Sequence, residues 1–231
     1  NRGFEGITIA PNGKVYAAVQ SVLDINGETS KKALFTRIIE LDPTTGNVRT
    51  FAYPIDPVYK SAKDAKIGEL CAISNAKMLV IEQGKDKNGV MRNLIYLADL
   101  ANATDITGML IGGKEPEYVT KASDLAAAGI TIASKSLVVD LRSLGWTYEK
   151  AEGLSILSDM KTLAVINDND FGIKLVTKDG SNTEVSITDY TLLGDGTFVD
   201  KNCNPVVLTN SIEPNNEPVE LWLIELANPL P

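Results

Sequence analysis

Three stretches of this chain repeat one plan. They read "EGITIAPNGKVYAAVQ" from Glu5, "ELCAISNAKMLVIEQ" from Glu69 and "EGLSILSDMKTLAVIN" from Glu152. Each opens on Glu and carries Ile four residues later, at Ile9, Ile73 and Ile156. Each turns through small or polar residues to Lys14, Lys77 or Lys161, and each closes on a carboxamide, Gln20, Gln83 or Asn167. A one-residue gap in the turn of the second copy brings Glu and amide into register in all three. The apolar runs are short, rich in Val, Ile and Leu, and bounded by Gly, Pro, Asn and Asp, so they predict strands. Recurrence of such a unit is the mark of a repeat architecture.

A further strand follows each copy: "TRIIELDPTTG", "RNLIYLADL" and "ELWLIELAN". The first continues through a turn into "VRTFAYP", a fourth. A hairpin followed by a third and fourth strand is the plan of a β-propeller blade. The prediction is an all-β chain with about three blades, starting near residues 4, 68 and 151, in one domain over 1–231. Inserts fall at 100–150 and 171–218, and "KASDLAAAGI" predicts a short helix capped by Ser123 or Asp124. The competing architecture is an antiparallel sandwich whose hairpins match by chance. Three blades do not close a ring. The remaining blades are therefore expected from another chain or fragment, or from another copy of this one, packed near residues 1–20 and 219–231. The abrupt start on a strand reads as a processed or truncated end.

Composition removes whole classes of chemistry. The 231 residues carry 22 basic and 30 acidic groups, a net charge of −8, which argues against a nucleic acid held through its phosphates. The chain has no histidine, so Ser-His-Asp, Cys-His and His-ligated zinc sites are excluded within it. Any metal would meet hard oxygen ligands, which suit calcium or magnesium. Cys71 and Cys203 are too few for a disulfide framework. Cys71 reads as a core thiol, with a Cys71–Cys203 bond as the alternative in an oxidising compartment. No apolar run has the length of a membrane-spanning helix. "NAT" at Asn102 is a single glycosylation sequon.

In a propeller the first strand of each blade lines the central channel, so Glu5, Glu69 and Glu152 are expected to converge there. Converging carboxylates repel and require a cation, a basic residue or protonation. Calcium is the simplest answer, with Gln20, Gln83 and Asn167 as neutral donors. "NDNDFG", from Asn167, adds Asp168 and Asp170 on a tight polar loop. The predicted metal ligands are thus Glu5, Glu69, Glu152, Asn167, Asp168 and Asp170. The alternative has each Glu accepting backbone N–H groups or pairing with Arg2, Arg37 or Arg92. For the loop, the alternative is an Asx-rich turn without a ligand.

Five segments carry a family likeness. "NRGFEGITIAPNGKVYAAVQS", "TRIIELDPTTGNVRTFAYPID", "IGELCAISNAKMLVIEQG", "NLIYLADLANATDITG" and "KAEGLSILSDMKTLAVINDNDFG" resemble, in that order, the phytase-like propeller family named for the esterase-like activity of phytase. The resemblance implies a secreted or periplasmic β-propeller linked to phosphoester hydrolysis, and this chain is similar to its C-terminal portion. Its matching positions are Glu5, Glu69, Glu152 and the run Asn167–Asp170. The chain departs from the family at "IEQG", where Gln83 stands in place of an arginine. The expected activity is calcium-dependent hydrolysis of a phosphorylated small molecule, with Glu152 or Asp168 orienting the attacking water. The alternative is a non-catalytic, calcium-stabilised propeller that binds a ligand or protein. Neither reading involves nucleic acid or a membrane span.

Overall fold

A computed structural model describes residues 3–231; Arg2, one of the predicted glutamate partners, lies outside them. The chain is all-β, built of several antiparallel sheets, in two compact units. One unit comprises residues 1–167 and 220–231, the other residues 168–219.

The larger unit holds three sheets. The first is the meander β1 (Phe4–Ile9), β2 (Val15–Val19), β3 (Phe35–Leu41) and β4 (Val48–Pro54). The second is the meander β5 (Lys66–Ala72), β6 (Lys77–Lys85), β7 (Met91–Asp99) and β8 (Ser134–Asp140). The third contains β9 (Gly153–Ile156), β10 (Thr162–Ile166) and β17 (Leu221–Glu225). The predicted hairpins and third strands are all present. One correction concerns the first insert: β8 lies inside 100–150 yet completes the second sheet, so only the part before it is an excursion.

Each sheet uses the period of two to bury both faces or one. Tyr16, Ala18, Ile38 and Phe51 of the first sheet share a core with Leu70, Met78 and Val80 of the second. The opposite face of the second sheet offers Leu79, Ile81 and Ile95 to Leu163, Val165 and Ile224 of the third. The sheets therefore stack in series, with β5 beside both β1 and β9. We call the side turned to the preceding sheet the front, and the other the back.

Two glycines permit this stacking. A Cβ on Gly6 (φ +74°) would stand 2.6 Å from the Leu70 nitrogen, and one on Gly68 would stand 2.4 Å from the Ala151 oxygen. Both obstacles are backbone, which cannot rotate away. Gly68→Ala is expected to cost about 2–3 kcal/mol, at the upper end for overpacking. Gly180→Ala, where no heavy atom lies within 4 Å of the added carbon, is the control and should leave the urea midpoint unchanged.

The segment between β7 and β8 folds back over the first sheet. Ile106, Leu125 and Ile130 bury Phe35 and Ala52. Asp105 bridges to Phe51, the Ile106 N–H donates to the Thr50 carbonyl (2.8 Å), and the Ala133 N–H donates to the Ala52 carbonyl (2.9 Å). Arg37 clamps the fully buried Glu117 carboxylate through two bonds of 2.6 and 2.9 Å. Helix α1 (Ala122–Ala127) lies here, as predicted, but neither Ser123 nor Asp124 caps it. Lys121 takes the N-cap position without a side-chain bond, and Ser123 instead bonds Asp124.

The smaller unit has two three-stranded sheets. In one, β11 (Ile173–Lys178) lies between β12 (Glu184–Val185) and β16 (Thr209–Pro214). In the other, β14 (Phe198–Val199) lies between β13 (Thr191–Leu192) and β15 (Pro205–Val206). Among the described residues no helix is long and apolar enough to cross a membrane.

Candidate functional site

The strand registers revise the repeat. Phe4 pairs with Val19 and Ile67 with Glu82; Ile7 pairs with Ala17 and Leu70 with Val80. The two hairpins superpose at one constant offset on both strands, with no gap in the turn. Gln20 and Gln83 then coincide, but Glu5 coincides with Gly68, and Glu69 with Gly6. Each first strand has a bulge at the same place, between Phe4 and Ile7 and between Ile67 and Glu69, and the glutamate occupies a different residue of it in each. In the third sheet Ile156 pairs with Leu163 where Ile9 pairs with Val15. Glu152 matches Glu5, while the turn holds one residue more, so Asn167 falls on the position of Val19.

The glutamates nonetheless gather at the strand entrances. Glu5 is half-buried and accepts a bond from Gln20 Nε2 (2.9 Å). Glu69 is half-buried and accepts from its neighbour Leu70 N–H (2.8 Å) and from the Ile7 N–H of the first sheet. Burial pushes the Glu69 carboxyl above the ordinary range; those two amides oppose the shift and the Glu5 charge adds to it. The two carboxylates are therefore electrostatic neighbours across adjacent first strands. Glu152 accepts from Gln83 Nε2 (3.3 Å) at the next junction. Among the described residues, no three acidic or thiol side chains form a group able to hold a metal. The oxygen donors at hand are thus a carboxylate pair with neutral oxygens, rather than three carboxylates together.

The predicted neutral donors are partly committed. Gln83 Oε1 accepts from Asn93 Nδ2 (3.2 Å) and the Ala151 N–H (2.8 Å). Asn93 also bonds the Glu149 carbonyl (2.9 Å) and accepts from Arg142 Nε (2.9 Å). Arg142 in turn holds the Thr147 and Tyr148 carbonyls at 3.1 and 2.7 Å. This buried chain fixes the Gln83 amide that meets Glu152. Asn167 is buried, and its Oδ1 accepts the Glu220 N–H (2.7 Å). Arg37 and Arg92, offered as glutamate partners, bind Glu117 and Asp140 instead.

The "NDNDFG" loop has its own local order. Asp168 Oδ1 accepts the Asp170 N–H (2.9 Å), the bond of an Asx turn. Asn169 Nδ2 donates to the Glu217 carbonyl (2.9 Å). Asp170 and Phe171 both have positive φ, and Phe171 is 97% exposed. Both cysteines are free thiols, and burial pushes the Cys71 thiol up.

A second polar cluster escaped the sequence reading because its members are scattered along the chain. Glu82, wholly buried between the first two sheets, accepts from Tyr53 OH (2.6 Å) and pairs with Lys135. Lys135 lies over the Tyr96 ring at 4.1 Å, and Tyr96 OH donates to Asp56 (2.5 Å). Burial pushes Glu82 up and Lys135 down, and their mutual attraction opposes both shifts. Glu82 sits next to Gln83 on β6, so a period of two turns one toward each junction. An acidic residue in "VIEQG" is the only sequence trace of it.

The sheets and their acidic strand entrances define an all-β chain of stacked repeats. A family model described as phytase-like, "esterase-like activity of phytase", matches residues 1–171. The chain belongs to that phytase-like family. No curated protein and no solved structure gives a significant match.

Proposed function

We propose that the chain contributes three blades to a secreted or periplasmic β-propeller that hydrolyses phosphoesters with the help of calcium. The supporting observation is the half-buried pair Glu5–Glu69, whose mutual repulsion a divalent cation would offset. Their hard oxygens, with the Gln20 carboxamide beside Glu5, fit such an ion better than a transition metal. Bound there, it would neutralise substrate phosphate and acidify a water. Glu152, oriented by Gln83, takes the role of aligning that water. Asp168 is the lesser choice, since its carboxylate already holds its own turn. Asn167, at the end of β10, belongs to the same proposal as a ligand.

A second reading is favoured by one contact. Glu69 binds backbone N–H groups of two sheets, which suits a structural carboxylate in a non-catalytic propeller that binds a ligand or protein. The readings separate in one assay. Hydrolysis of a phosphomonoester is expected with calcium, to vanish with chelator, and to fall about 100-fold or more in Glu152→Gln. Calcium raising the melting temperature without turnover would leave the second reading.

A further inference from the structure

We infer that Asn26 is a site of spontaneous deamidation, singled out from three Asn-Gly pairs by the turn that holds it. The pairs are Asn12–Gly13, Asn26–Gly27 and Asn88–Gly89, and all of these residues are exposed. In such a pair the glycine nitrogen attacks the asparagine Cγ, a five-membered ring closes and ammonia leaves. Glycine has no Cβ to obstruct the approach. Water then opens the succinimide at either carbonyl and leaves aspartate or isoaspartate. The attacking nitrogen must first shed its proton, so a glycine N–H engaged in a hydrogen bond is held back. Neither dipeptide nor exposure ranks the three pairs; the place of each in its turn does.

Asn12 and Asn88 each stand third in a four-residue turn, so the glycine that follows is fourth and its N–H closes the turn. The Gly13 N–H donates to the Ala10 carbonyl (2.8 Å) and the Gly89 N–H to the Asp86 carbonyl (2.9 Å). Asn12 is tied further, because its Oδ1 accepts the Lys14 N–H (3.2 Å). Asn26 stands second in its turn. Residues 25–28 close through the Glu28 N–H and the Ile25 carbonyl (3.0 Å). Asn26 and Gly27 lie at φ +53° and +76°, the signs of a type I′ turn. The third N–H of such a turn takes no part in closing it, and among the described residues the Gly27 N–H has no acceptor. The Asn26 side chain is loosely held as well, with Nδ2 donating to Tyr118 OH at 3.4 Å. Conversion adds one negative charge to the net −8 and sets a carboxylate against Tyr118. Isoaspartate also lengthens the main chain inside the turn.

The test is ageing of the native chain in mildly alkaline buffer, followed by tryptic mapping in a mass spectrometer. Each pair falls on its own peptide: residues 3–14 for Asn12, 15–31 for Asn26 and 88–92 for Asn88. The acid form should accumulate at Asn26 about fivefold faster or more than at either other site, the factor that one backbone hydrogen bond is worth. In the urea-unfolded chain the three rates should converge, since the dipeptide is the same. Anion exchange should resolve the aged species by its added charge, and Asn26→Asp should co-elute with the aspartate product. Asn12 or Asn88 converting as fast as Asn26 in the native chain overturns the inference. So does an Asn26 that stays intact, or an order of rates that urea leaves unchanged, which would place the cause in the flanking sequence. None of these outcomes bears on phosphoester turnover, which is read separately.

Discussion

Glu82→Ala is expected to destabilise the larger unit by about 3–5 kcal/mol, because it leaves Lys135 buried without its counter-charge. Lys135 has only 11% of its side chain exposed and Glu82 none. Tyr53 would also lose its acceptor. Removing both charges is a different experiment. Glu82→Leu with Lys135→Met exchanges the pair for apolar volume and should recover most of the loss, since burial disfavours both charged forms. Urea denaturation of Glu82→Leu, Lys135→Met and the double variant closes the cycle. A double variant as unstable as Glu82→Ala would mean that packing, not charge, dominates at this junction.

Trp146→Ala should cost a similar amount, about 3–5 kcal/mol. Trp146 is 1% exposed and sits in the core between the second and third sheets. Its ring meets Tyr148 edge-on at 5.3 Å and Trp222 at 5.4 Å. Its Nε1 donates to the Tyr148 carbonyl (3.1 Å). Truncation opens a large cavity, cuts two aromatic contacts and loosens a turn that Arg142 also grips. The melting temperature should fall by roughly 10–15 °C. Trp146→Phe keeps most of the volume and loses the hydrogen bond, so it should lie well above Trp146→Ala. Near-equality of the two would assign the effect to the hydrogen bond.

The strands were legible because each is short, apolar and bounded by turn residues. "PNG" closes the first hairpin where it was expected, with the Gly13 N–H bonded to the Ala10 carbonyl (2.8 Å). The same pattern concealed the true register. The glutamate stands at a different residue of the bulge in each hairpin, so aligning the conspicuous glutamates displaces one hairpin by a position. The orientation of Ile7 with Leu70 and of Ile9 with Ala72 reveals the shift, and only side-chain burial reports that. Strand β8 was hidden for another reason. "SKSLVVD" follows a long excursion and forms its sheet only through pairing with β7. The Glu82–Lys135 pair spans fifty-odd residues of sequence, and no local spacing could announce it.

The return of residues 105–133 along β4 has a consequence for how this molecule associates. Through Thr50, Phe51 and Ala52, that strand's outer rim is already hydrogen-bonded, so another strand finds no open ladder to extend there. What the first sheet offers to its surroundings is a greasy plane bordered by a sealed hem. The fold therefore closes one of the routes by which this sheet could recruit further strands.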